Sequence, residues 1–153
     1  MTVWDNIYKD YKEGGDAWAT LSEGIIQEFV SLVENYNFPL KNAFDIGCGT
    51  GKYLKYLQSK NFNVSGIDSS ETAVEFTKGA LALNEDIVCA DMFQFGLGTE
   101  KYDLILSVST IHHGMKAEIE KLVADIYEAL VPAGKIFITV PDYQSAIERN
   151  EFV

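Results

Sequence analysis

Phe44-Asp45-Ile46-Gly47-Cys48-Gly49-Thr50-Gly51 decides the fold. It closes an apolar run, Ala43 to Ile46, that reads as a short buried strand. Its glycines open onto Tyr53, Leu54, Tyr56 and Leu57, which are spaced as one face of a helix. A strand that breaks into glycines and restarts as a helix lets a ligand approach the backbone without meeting a β-carbon. The new helix start also offers free N–H groups to an anion. Two phosphate-binding loops fail on spacing. A P-loop would need glycine at Ile46 and Ser or Thr at Tyr53, and the dinucleotide fingerprint would need its third glycine at Lys52.

Outward from this loop the chain alternates. Asn63 to Ile67 is a second strand ending at Asp68, and Ser69 or Ser70 caps the helix that follows, with Glu71 at its positive end. Asp86 to Ala90 is the third strand and Tyr102 to Val108 the fourth. A helix from Lys116 to Leu130 puts Ile119, Leu122, Val123, Ile126 and Leu130 on one face. Pro132 and Gly134 then turn the chain into a fifth strand, Lys135 to Val140. Continuously apolar strands alternating with amphipathic helices mean a parallel sheet covered on both faces. The expected fold class is therefore α/β: a doubly wound, Rossmann-like sheet of order 3-2-1-4-5, with its ligand at the switch point between strands 1 and 4.

Upstream, Trp4, Ile7, Tyr8 and Tyr11 are spaced for a short helix that Gly14-Gly15 breaks. Leu21, Ile25, Ile26, Phe29, Leu32 and Val33 form a stripe over a second helix, Thr20 to Tyr36, which Pro39 stops. With no repeat and no linker, residues 1–153 read as one domain. Residues 1–40 form a helical segment able to close as a lid, 41–140 the core, and 141–153 the start of a C-terminal extension.

Two aspartates complete a pattern. Asp68 ends strand 2 about 20 residues beyond the glycines, where a carboxylate accepts from ribose hydroxyls. Asp91, after strand 3 in Cys89-Ala90-Asp91-Met92, can accept from an adenine amino group while the Met92 N–H meets a ring nitrogen. Either aspartate alone would be an ordinary cap or turn residue. In register with the glycine loop they describe a nucleoside site.

These segments resemble the class I S-adenosylmethionine-dependent methyltransferases over about Asn42 to Val140. Asp45 to Gly51 is similar to the family's first motif, Gly66-Ile67-Asp68-Ser69-Ser70 to the second and Ala90-Asp91-Met92 to the third. Tyr102-Asp103-Leu104-Ile105-Leu106-Ser107 is similar to the strand 4 motif, and Leu130 to Lys135 to the turn before strand 5, with Ala133 where glycine is commoner. The resemblance implies S-adenosyl-L-methionine as cofactor and S-adenosyl-L-homocysteine as product. Gly47, Cys48, Gly49 and Gly51 would hold the methionine portion, with the Gly47 carbonyl near its ammonium and Asp45 as an acceptor behind them. Asp68, beside Ser69, would hold the ribose, Asp91 and Met92 the adenine, and Ser107 would border the transferred methyl. Such chains usually continue past strand 5 with a helix and an antiparallel strand pair. This one ends at Val153, so the strand pair is expected to be lacking and strand 5 to be an apolar edge open to a homodimer.

Methyl transfer from a sulfonium needs mainly orientation, and a base only where the acceptor must lose a proton. His112 and His113 are the only histidines, and they follow strand 4 where the acceptor should lie. His112 is the candidate base; its alternative is to pack or cap the loop before Lys116. Adjacent histidines point in different directions, so no metal site is expected. A net charge of −11, with 12 Lys and Arg and no basic run, argues against nucleic acid and for a small-molecule acceptor. No apolar run approaches membrane-spanning length and no signal peptide is evident, so a cytoplasmic location with Cys48 and Cys89 reduced is expected. Two rivals remain: a module that binds the cofactor without turnover, and an NAD-binding oxidoreductase domain.

Overall fold

The computed structural model describes residues 2–13, 24–81 and 86–142. The strands are β1 (Asn42–Ile46), β2 (Asn63–Asp68), β3 (Ile87–Cys89), β4 (Tyr102–Val108) and β5 (Leu130–Thr139). The helices are α1 (Val3–Lys12), α2 (Gln27–Asn35), α3 (Lys52–Ser59), α4 (Glu71–Leu81) and α5 (Lys116–Ala129). The sheet order is β3-β2-β1-β4-β5 and every described pairing is parallel, as the alternation predicts.

The alternation of side chains along β1 and β4 splits the core in two. Ala43, Leu104 and Leu106 face Phe29, Leu54 and Leu57, on the side covered by α2, α3 and α4. Phe44, Ile46 and Ile105 face Leu122, Ile126 and Ala129 of α5. With both faces covered, the ends of the strands are what remain open to a ligand.

Three boundaries differ from the sequence reading. The second helix begins only at Gln27, because Ile26 holds an extended backbone (ψ 130°) and Gly24 to Ile26 are not helical; Leu21 and the Gly14-Gly15 break lie outside the described residues. Leu130 leaves α5 extended and pairs at once with Tyr102. The next pairing is Leu104 with Lys135, so Val131 to Gly134 bulge from β5, with Ala133 left-handed (φ +65°). The third strand is Ile87–Cys89, shorter by one residue at each end. The extension beyond Asp142 lies outside the described residues.

Within α1, Thr2 and Asp5 form a reciprocal capping box that fixes the first turn. The Asp5 carboxylate also accepts the Ser70 hydroxyl at 2.7 Å, and Ser70 in turn accepts the Ala73 N–H as the cap of α4. The Ser70 hydrogen bond, helped by those from Thr2, holds the Asp5 carboxyl down at about 2. Tyr11 rests on Phe76 of α4 at 5.7 Å. By these contacts α1 is anchored over the carboxyl ends of the strands.

Candidate functional site

The glycine loop is held from below and from the side. The N–H groups of Gly47 and Cys48 both donate to the Ile67 carbonyl (2.8 and 2.9 Å), and Gly51 N–H donates to the Cys48 carbonyl. The buried Thr77 hydroxyl donates to the Gly49 carbonyl at 2.9 Å. Gly47 and Gly49 adopt φ +78° and +56°, a region costly to other residues. A β-carbon at Gly47 would overlap Thr110, and one at Gly49 would lie 2.8 Å from the Tyr8 hydroxyl.

Asp68 ties this loop to the end of β2. One carboxylate oxygen accepts Gly49 N–H and the other accepts Ser70 N–H, both at 2.9 Å. Each oxygen keeps a further lone pair. Burial raises the Asp68 pKa, and the two backbone donors oppose that shift. Asp45, at the end of β1, is 3% exposed and its Oδ1 has no hydrogen-bond partner. Burial, seconded by the Asp68 charge, pushes its carboxyl up to about 8. Burial likewise pushes the Cys48 thiol up.

A cavity of about 790 Å³ opens above these residues, within the usual range for ligand sites. It gathers Asp45, Gly47, Cys48, Gly49, Asp68, Ser69, Asp91, Met92 and His112 around one space, as the sequence grouped them. Asp91 is exposed and accepts the Phe93 N–H at 2.9 Å, which turns the chain after β3 back across the opening.

Two of the named residues do not line it. Gly51 faces α4, where a β-carbon would meet Thr77. Ser107 is fully buried within β4, opposite Ile138, with its Oγ unpartnered. The strand runs past it, so Val108, Ser109 and Thr110 form the lip instead.

Other lining residues had weaker signals in the sequence. Trp4 and Tyr8 enter from α1, whereas Tyr11 turns to α4. Tyr8 is buried directly over the loop, and burial raises its hydroxyl pKa, with the Asp68 charge adding to the effect. Ile26 lines the wall and donates its N–H to the Tyr53 hydroxyl at 3.4 Å. Phe93 after β3, with Thr110, His113 and Glu118 after β4, completes the lining. Their side chains carry no motif, and only their place after strands 3 and 4 marks them.

Comparison with known proteins agrees with this fold. The family model described as "Methyltransferase domain" matches residues 43–134. Over 97 residues the chain is 34% identical to the human "Probable tRNA methyltransferase 9B", covering 63% of this chain and 20% of that protein. Over 123 residues it is 27% identical to the malonyl-[acyl-carrier protein] O-methyltransferase of Calditerrivibrio nitroreducens, covering 79% of this chain and 47% of that protein. The chain thus spans half or less of these two relatives. A TehB-like SAM-dependent methyltransferase from Corynebacterium glutamicum superposes with a TM-score of 0.70 at 20% identity, over 95% of this chain and 81% of that one. From β1 to the bulge in β5, the chain belongs to the class I S-adenosylmethionine-dependent methyltransferase family.

Proposed function

We propose that this chain binds S-adenosyl-L-methionine in the 790 Å³ cavity and transfers its methyl group to a small-molecule acceptor. The observation that carries the reading is the set of three aspartates, Asp45, Asp68 and Asp91, around one cavity at the carboxyl ends of β1, β2 and β3. The site fits the cofactor on its own chemistry. The partnerless buried oxygen of Asp45 suits a cationic group, and the Thr110 and Tyr8 side chains close directly over Gly47 and Gly49. When bound, the cofactor supplies an electrophilic methyl on a sulfonium.

The chain's own residues do the rest. Gly47, Cys48 and Gly49 take the methionine end, Asp68 and Ser69 the ribose, and Asp91 and Met92 the adenine. Gly51 shapes the loop from behind. α1 closes over the loop through Tyr8 and excludes water. His112, on the 3-10 turn Ile111–His113 after β4, accepts the proton of an acceptor that must lose one.

Calorimetric titration with S-adenosylhomocysteine, S-adenosylmethionine and NAD tests the cofactor assignment. Binding of NAD alone would replace the reading with an oxidoreductase. Binding of the first two without any methyl transfer would leave a cofactor-binding module.

A nucleic-acid acceptor suits a net charge of −11 poorly, and only one Lys and no Arg line the cavity among the described residues. No helix among the described residues is long and apolar enough to cross a membrane, and we place the chain in the cytoplasm. Among the described residues β5 is a sheet edge, with Ile136 and Ile138 on it exposed at 41% and 37% and Val140 just beyond it at 56%. Such an edge pairs readily with a second copy. A concentration-dependent dimer in sedimentation, abolished by Ile138→Pro, is expected, because Thr139 turns its carbonyl to Ser109 and its alternate neighbour Ile138 therefore presents its N–H to the open edge; a monomer at all concentrations would exclude it.

A further inference from the structure

Beyond the three aspartates, one end of the cavity is built differently. Trp4 from α1 meets the His113 ring edge-on at 4.9 Å, and His113 lies 4.0 Å from His112. Phe93 lies flush against Gly114, the next residue, so closely that a β-carbon there would overlap its ring. Glu118, in the first turn of α5, lines the same space. One of its oxygens accepts the Met115 N–H at 2.9 Å, which fixes the carboxylate at the cavity wall. Four aromatic rings and one carboxylate therefore surround the part of the cavity next to the β4 lip.

From this arrangement we propose that the methyl acceptor is an amine, held as a cation between the Trp4, Phe93 and histidine rings and Glu118. This rests on the methyltransferase reading above and narrows it. The faces of aromatic rings attract cations, Trp most strongly. The cavity holds four acidic side chains, Asp68, Asp91, Glu118 and the proton-holding Asp45, against a single lysine among the described residues, Lys52, so a carboxylate or phosphate acceptor meets repulsion. Three of those carboxylates are taken by the cofactor; Glu118 is left for the acceptor.

The step balances simply. The bound ammonium gives one proton to His112 or His113, and from there to water. The freed nitrogen lone pair attacks the methyl carbon, the carbon–sulfur bond breaks, and its electron pair stays on sulfur. The products are a methylated ammonium and neutral S-adenosylhomocysteine.

The test uses the whole chain saturated with S-adenosylhomocysteine, titrated in turn with 2-phenylethylamine, 2-phenylethanol and phenylacetate. These probes share one ring and differ mainly in charge. The amine is expected to bind about tenfold more tightly than the alcohol, and phenylacetate more weakly than either. Glu118→Gln, which keeps an acceptor for the Met115 N–H, should cut amine binding severalfold and leave S-adenosylhomocysteine affinity unchanged. Trp4→Phe should weaken the amine more than the alcohol. No binding of the amine, equal binding of amine and alcohol, or tighter binding of phenylacetate overturns the inference while the methyltransferase reading stands. Failure of S-adenosylhomocysteine itself to bind overturns both.

Discussion

Replacing Asp45 by Asn separates the charge of this residue from its shape. In the folded chain the carboxyl is buried beside Asp68 and keeps its proton up to about pH 8, whereas its ordinary value is 3.8. Between those values the folded state holds one proton more than the unfolded state, so stability falls as pH rises. The slope is about 1.4 kcal/mol per pH unit, which makes about 2.7 kcal/mol between pH 5 and pH 7. Asparagine carries no titrating proton, so this part of the pH dependence disappears in the variant. The assay is urea unfolding of both proteins at pH 5, 6 and 7, in which all other groups cancel. The stability of Asp45→Asn relative to the parent should climb across the series by about 2–3 kcal/mol. Binding gives a second reading of the same proton. A cationic group of the ligand beside Asp45 favours the ionised form, so close to one proton leaves the parent on binding at pH 7 and none leaves the variant. Titration in buffers of different ionisation heat measures that proton. Parallel unfolding profiles would refute the raised pKa and, with it, the idea that this buried carboxyl is held for a cation.

Three further outcomes follow from contacts at the loop. Asp68→Ala should weaken S-adenosylhomocysteine by about 1–3 kcal/mol in calorimetry, the scale for hydrogen bonds to a charged group, because it frees Gly49 N–H and removes the ribose acceptor together. Gly49→Ala should destabilise the fold and abolish binding; adding Tyr8→Phe, which leaves only an ordinary 3.8 Å contact to the ring, should recover all but about 1–2 kcal/mol of backbone strain in urea unfolding. His112→Ala should lower turnover on the true acceptor by about 10²–10⁴-fold with unchanged affinity for S-adenosylhomocysteine, and equal turnover would leave His112 a packing residue.

The sequence by itself determined the sheet order, the glycine loop and the aspartates at the strand ends. These are legible because they are local or periodic. Burial on both faces makes β1 and β4 uniformly apolar, left-handed backbone at residues 47 and 49 demands glycine, and parallel strands bring their carboxyl ends together whatever the side chains. Two residues named for the site do not line the cavity. Ser107 ends a motif but not its strand, so its side chain is buried while Val108 to Thr110 meet the cavity. Gly51 serves the turn into α3 and faces Thr77.

Only the tertiary structure decided which partners each group would meet. Nothing near Asp45 in the chain raises its pKa; the cause is a buried position beside a carboxylate 23 residues away. Nothing in α1 says that Tyr8 sits on Gly49 and Trp4 on His113, or that Asp5 takes the Ser70 hydroxyl 65 positions later. Desolvation, ring contacts and buried hydrogen bonds depend on distance in space. For residues this far apart in sequence, that distance is set by packing and not by any pattern the chain carries.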